Sequence, residues 1–270
     1  MGGGGSVGAK RPQRHTLTSG RTPFDCAQGK RGSPLHFGAP FEQDCRPHCV
    51  KPRAVFQQRP PFKTRLEAGR RLAKRLRAFA GTNAVVLGIA RGGIAVGRAL
   101  ADALSLELEP LVPRKIPIPW SPEAGYGAVM PDGTLVLNEE TVRQLGFSKQ
   151  EIQRHADKVL AEVRRRQRVY VGDAQPQPLT GRTAIVVDDG LATGYTMIAA
   201  LRSVRKRDPA RLVMAVPVSP ADSLQRVRPE ADEAVCLVTS RTPWFAVATF
   251  YEEFPDLSDD EVIRLLRGER

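Results

Sequence analysis

Long apolar runs are missing from this sequence. No window of about 18 residues is both apolar and free of charge, which excludes a membrane-spanning helix. The best stretch, AVVLGIA at residues 84–90, is stopped by Arg91. The opening MGGGGSVGAKRPQR lacks the apolar core of a secretory signal, so a cytoplasmic location is expected. Cysteine is scarce in the body of the chain. Three of the four fall before residue 50, and Cys236 stands alone within the apolar run AVCLV, where a buried, inert thiol is expected. Cys45, His48 and Cys49 have no second pair at finger spacing, so they are not expected to bind zinc. Neither a Walker A loop nor G-x-G-x-x-G occurs, which removes the two commonest nucleotide-binding loops.

Charge is present in ordinary amount but is unevenly placed. Residues 1–60 carry 10 Lys/Arg against 3 Asp/Glu, a net of +7, whereas the remaining 210 residues contribute only +5. The same 60 residues hold 9 of the 24 glycines and 7 of the 22 prolines and show no periodicity. They read as a disordered basic extension with too little apolar surface to offset its ordering entropy, or as sequence upstream of a true start near Phe62.

From residue 62 the pattern changes. Leu66, Leu72, Leu76 and Phe79 approximate one helical face ending near Gly81. AVVLGIA reads as a buried strand, followed by Arg91-Gly92-Gly93, a small-residue helix (94–104) and a strand at 106–112. Residues 113–133 contain Pro113, Pro117, Pro119, Pro122 and Pro131 without periodicity and read as a long lid loop. A strand is expected at 134–138. Ser148 with Glu151 is a capping-box pair opening a polar helix over 149–170. That helix carries Arg164, Arg165, Arg166 and Arg168 in its last turns, read as a solvated helix end in preference to a nucleic-acid contact. TAIVV (183–187), RLVMAVPV (211–218) and EAVCLV (233–238) are further strands, with helices after 195, at 221–227 and at 259–267. Strands alternating with helices give an α/β class with a mostly parallel twisted sheet flanked by helices, Rossmann-like in organisation.

One segment carries chemistry. The strand TAIVV ends in two adjacent carboxylates, Asp188 and Asp189, followed by Gly190, Leu191, Ala192, Thr193, Gly194, Tyr195 and Thr196 at the start of a helix. In an open parallel sheet such a turn faces the crevice beyond the carboxyl ends of the strands. Backbone N–H groups of residues 192–194 and the helix N-terminus form an anion nest, to which Thr193 and Thr196 add hydroxyls. The acids suit sugar hydroxyls or a hydrated cation. A phosphate and a diol on one ligand describe a ribose 5-phosphate.

The segment VVDDGLATGYT resembles the signature of the type I phosphoribosyltransferases, which bind 5-phosphoribosyl 1-pyrophosphate (PRPP) through an apolar strand, two acids and A-T-G-x-T. The resemblance extends over about residues 62–265 and is closest to uncharacterised members that end in a similar aromatic stretch. It implies that Arg91, Gly92 and Gly93 form the pyrophosphate loop, and that Arg114 and Lys115 contact the diphosphate and open a flexible lid over 113–133. It implies that Asp188 and Asp189 hold the ribose hydroxyls while Ala192, Thr193, Gly194, Tyr195 and Thr196 bind the 5-phosphate. A small hood over 240–255 is implied, with Trp244 and Phe245 as candidates for stacking on a base and Pro243, Phe250 and Tyr251 beside them.

The implied reaction is displacement of pyrophosphate from PRPP by a nitrogen nucleophile, usually of a base, as in nucleotide salvage. Mg²⁺ is carried with the diphosphate, and Asp188 and Asp189 are the candidate metal ligands. A homodimer is a family expectation. Hypoxanthine-type members carry an acid where this chain has Ala192, so a 6-oxopurine acceptor is not favoured. Two rivals are a regulator that binds PRPP without turnover, with nucleic acid as a partner through its arginines, and a Rossmann-like binder of another phosphorylated sugar. No helix-turn-helix domain precedes the body to support the regulator.

Overall fold

The computed structural model describes residues 59–172, 176–242 and 244–269. The basic extension expected over residues 1–60, with Cys45, His48 and Cys49, lies outside the described residues except for its last two positions. Among the described residues, eight strands form two sheets.

The larger sheet consists of β1 (Val85–Ile89), β2 (Glu107–Leu111), β6 (Thr183–Val187), β7 (Arg211–Pro220) and β8 (Glu233–Ser240), in the order β2-β1-β6-β7-β8, and every pairing is parallel. Its central strands are apolar because both faces are covered. Alternate residues divide cleanly between two cores. Val85, Leu87, Ala184, Val186, Leu212 and Met214 face α5 (Tyr195–Arg205). Val86, Ile185, Val187, Val213 and Ala215 face α1 (Arg65–Arg75) and α2 (Gly92–Leu104). The chain leaves β1 for β2 on one side and later places β6 on the other. The strand order therefore reverses between β1 and β6, and a crevice opens beyond their carboxyl ends.

The first helix is shorter than its apolar spacing suggests. α1 is capped by Thr64, whose hydroxyl accepts from the Glu67 N–H, and it ends at Arg75, with a separate 3₁₀ turn at Arg77–Phe79. Leu66 does not join the buried face; it is 39% exposed, and the buried stripe is Arg65, Ala68, Gly69, Leu72 and Ala73. Helices α6 (Ala221–Val227) and α7 (Asp259–Arg267) fall where the sequence places them. So does α4 (Lys149–Val171), whose capping box joins Ser148 and Glu151 in both directions.

The lid loop expected over 113–133 is instead a β-hairpin. β3 (Arg114–Ile118) and β4 (Ser121–Val129) pair antiparallel, and β5 (Leu135–Leu137) completes a three-stranded sheet. A short helix, α3 (Glu139–Leu145), follows. The hairpin is anchored by Ile116, Tyr126, Ala128 and Val129, all buried. Its alternation is hidden because proline cannot donate to a ladder and because two glycines occupy strand positions. The register shifts on both sides of Pro117, and a Cβ on Gly127 would lie 2.6 Å from the Val136 carbonyl oxygen. No described helix is long and apolar enough to cross a membrane.

Candidate functional site

Beyond Val187 the buried strand β6 stops at Asp188 and Asp189. The Asp189 N–H donates to Asp188 Oδ1 at 2.8 Å, which tightens the turn. Asp189 Oδ2 accepts from Arg65 Nε at 2.8 Å, and the Asp189 carbonyl accepts from the Tyr251 hydroxyl at 2.6 Å. Burial pushes the Asp188 carboxyl well above the ordinary carboxylate range, and the charge of Asp189 beside it pushes in the same direction. Burial also raises Asp189, against the opposing pull of the Arg65 guanidinium.

The turn is pressed against the start of α2. A Cβ on Gly92 would overlap the Asp189 carboxylate, and one on Gly93 would lie 2.5 Å from the Val187 carbonyl oxygen. Glycine at both positions is what lets the α2 N-terminus approach the acids, where its dipole favours negative charge. Arg91, exposed and joined to Ala90 by a cis peptide, stands at the mouth of this loop.

The turn expected to bind phosphate leads into α5. Gly194 is the N-cap of α5 with φ of +86°, and a Cβ there would come within 2.6 Å of Val227 Cγ2. No side chain caps the helix, and Ile198 makes the first helical bond, to the Gly194 carbonyl. The loop carbonyls are held from α6. Ser223 Oγ donates to Ala192 O at 2.6 Å, and Arg226 Nη1 donates to Thr193 O at 2.8 Å. Since C=O and N–H of a trans peptide point oppositely, the amides of Thr193 and Gly194 face away from α6, free for an anion. Thr193 is exposed, and Thr196 and Tyr195 are half-buried at the same end.

Other expected residues are placed differently. Arg114 pairs with Glu162 of α4 at 2.9 Å, and Lys115 donates to the Glu123 carbonyl across the hairpin. Neither side chain makes a hydrogen bond or ion pair with the 188–196 turn. In the hood, Trp244 is 90% exposed, while Phe245 stacks on Phe250 with centroids 5.2 Å apart. Tyr251 is buried and its hydroxyl is engaged, so it offers no face to a base. Val247 roofs Gly190, where a Cβ would lie 2.7 Å from Val247 Cγ1. Pro243 lies outside the described residues.

Sequence reading missed Arg65, Ser223, Arg226 and the anchoring role of Tyr251. Only Arg65 leaves a signal: it occupies the first position of the stripe 65, 68, 69, 72, 73, where a cation has no place unless a buried anion awaits it. A cleft of about 370 Å³ lies along β2, lined by Glu109, Met130, Gln167 and Arg207 among others. None of its lining residues belongs to the loops at the switch point. Its arginine is already held by Glu109 at 2.8 Å.

Residues 130–253, which include the acidic turn and the phosphate turn, match the phosphoribosyl transferase domain family. Two Mycobacterium tuberculosis proteins, named "Putative phosphoribosyl transferase MT0597" (strain CDC 1551 / Oshkosh) and "Putative phosphoribosyl transferase Rv0571c" (strain H37Rv), are each 41% identical over 205 residues. The match covers 76% of this chain and 46% of each relative, so the chain spans about half their length. The crystal structure of TT1426 from Thermus thermophilus superposes with a TM-score of 0.63 at 34% identity, covering 77% of this chain and 98% of that one. Sheet order, acidic turn, domain match and relatives agree, and the chain belongs to the type I phosphoribosyltransferase family.

Proposed function

We propose that the protein transfers the 5-phosphoribosyl group of PRPP to a ring nitrogen of a heterocyclic base and releases pyrophosphate. One observation carries this reading: two half-buried carboxylates and an uncapped, glycine-led helix start follow one strand at the switch point, within a single short turn. Asp188 and Asp189 take the ribose hydroxyls. The amides of residues 192–194, with Thr193 and Thr196, take the 5-phosphate. Arg91 and Gly92, across the crevice, receive the diphosphate.

As the bond from C1 to the diphosphate oxygen breaks, the bond from C1 to the base nitrogen forms, and the ring N–H proton passes to solvent water, since position 192 carries Ala in place of a carboxylate base. Charge on the departing diphosphate is met by Arg91, so the contribution of these residues is positioning and electrostatic stabilisation. Arg114 and Lys115 reach the diphosphate only by exchanging their partners Glu162 and the Glu123 carbonyl. Trp244 is the free aromatic face in the hood for stacking on the acceptor.

The donor set fits Mg²⁺. Among the described residues no group of three or more His, Cys, Asp or Glu could cage a metal, but two adjacent carboxylates suit an ion that arrives with diphosphate oxygens. When bound, Mg²⁺ neutralises leaving-group charge. Asp188 and Asp189 are the residues that would face it.

The test is calorimetric titration with PRPP and Mg²⁺, then pyrophosphate release with a panel of bases. Saturable heat that Asp189→Asn weakens at least tenfold is expected, as is release with at least one base. Absence of heat with the wild-type protein would overturn the proposal. The engaged state of Arg114 and Lys115 favours one second reading, a PRPP-binding regulator without turnover; binding with silence across the whole panel selects it.

A further inference from the structure

Arg65 opens α1, 124 residues before its partner Asp189. We propose that Arg65 is the positioning residue of the ribose-gripping carboxylate, fixing Asp189 Oδ2 so that Oδ1 alone is presented to the sugar. The inference rests on the reading of Asp189 as a ribose ligand given above.

Four observations combine. The Arg65 side chain is itself immobilised. Besides Nε to Asp189, its Nη1 donates to the Pro255 carbonyl at 2.7 Å, and its guanidinium carbon lies 3.6 Å from the centre of the Phe254 ring. It is 9% exposed, so little water competes for its donors. The carboxylate has no room to move toward α2, because the Gly92 backbone lies against Oδ2 with no space even for a methyl group. The Asp189 main chain is pinned from both sides, its N–H by Asp188 and its carbonyl by Tyr251. A planar guanidinium with fixed donors suits this task better than a flexible ammonium. Displacement of a reacting or binding group by about 1 Å can cost about 100-fold in rate, which is the scale of benefit such bracing brings.

A purely structural ion pair would hold α1 against the sheet and contribute nothing to ligand affinity once the protein is folded. A double-mutant cycle separates the two roles. Wild type, Arg65→Met, Arg65→Lys, Asp189→Asn and the Arg65→Met/Asp189→Asn pair are titrated with PRPP in the presence of Mg²⁺, with circular dichroism and melting curves recorded for each.

Arg65→Met is expected to weaken PRPP binding at least tenfold. Arg65→Lys should recover part of the loss, and the double variant should bind no more weakly than Asp189→Asn alone. If the two losses multiply in the double variant, or if folded Arg65→Met binds as wild type does, the proposal is overturned. Should Arg65→Met fail to fold, Arg65→Lys carries the same cycle, with the same non-additivity required. A wild-type protein that gives no heat removes the reading of the site and this inference with it. A wild-type protein that binds, with an additive cycle, removes this inference alone.

Discussion

Asp188 and Asp189 sit side by side at the closed end of a buried strand, and one arginine answers for both. A raised carboxyl pKa means the folded chain holds its proton at pH values where the unfolded chain has lost it. The stability contributed by Asp188 is thus complete below the unfolded carboxylate value of about 3.9 and is lost as pH rises toward the raised folded value. Once ionised, the acid is a burden on the folded state. Asp188→Asn, which keeps the acceptor for the Asp189 N–H, is expected to raise the melting temperature by a few degrees at pH 7, with the gap narrowing toward pH 4. Melting curves across that range check it, and a gap independent of pH would refute it. The stabilised variant should bind PRPP worse, since sites that need buried charge give up stability for it. The paired acids and the glycine-led start of α5 were legible in the sequence because they are contiguous. Arg65, Ser223 and Arg226 were not, since each reaches the site through a fold that no local pattern encodes.

Among elements, the strands of the large sheet were readable wherever burial on both faces made them uniformly apolar, as in β1, β6 and β7. The β3–β4 hairpin was not, because three prolines and two glycines within it imitate a loop while the pairing survives around them. Its anchor is Tyr126, fully buried, with its hydroxyl 2.8 Å from His155 Nδ1 and its ring 5.2 Å from that of Phe147. Trp120, near the turn, is 67% exposed and touches Phe147 by an edge. Tyr126→Ala should therefore destabilise the protein by about 3–5 kcal/mol, whereas Trp120→Ala should change stability by less than about 0.5 kcal/mol. Urea unfolding distinguishes them. Equal and negligible effects would mean that the hairpin is a loose lid after all.

At the scale of the whole molecule, the segment before α1 meets residues 250–253 beside the site. The Phe62 N–H donates to the Phe250 carbonyl, the Glu252 N–H donates back to Phe62, and the Glu253 N–H donates to Lys63. Phe62 is fully buried against Tyr251, with ring centroids 5.4 Å apart. Phe62→Ala should cost roughly 3 kcal/mol or more in stability and also weaken PRPP binding several-fold, because Tyr251, which holds the Asp189 carbonyl, loses its support. Leu212→Ala, at the opposite end of the sheet, should cost a comparable amount and leave the affinity of the folded protein unchanged. Urea unfolding and calorimetry on the same samples compare the two; equal affinity losses would show that any loss of stability suffices. The junction also sets an order of events during synthesis. A nascent chain that has emerged as far as Ser240 contains all five strands of the large sheet, yet Asp189 still lacks Tyr251 on its carbonyl, and Arg65 lacks Phe254 and Pro255. The five strands can pair while the ribosome is still at work, but Asp189 is braced only once residues 251–255 follow and close back on residue 62.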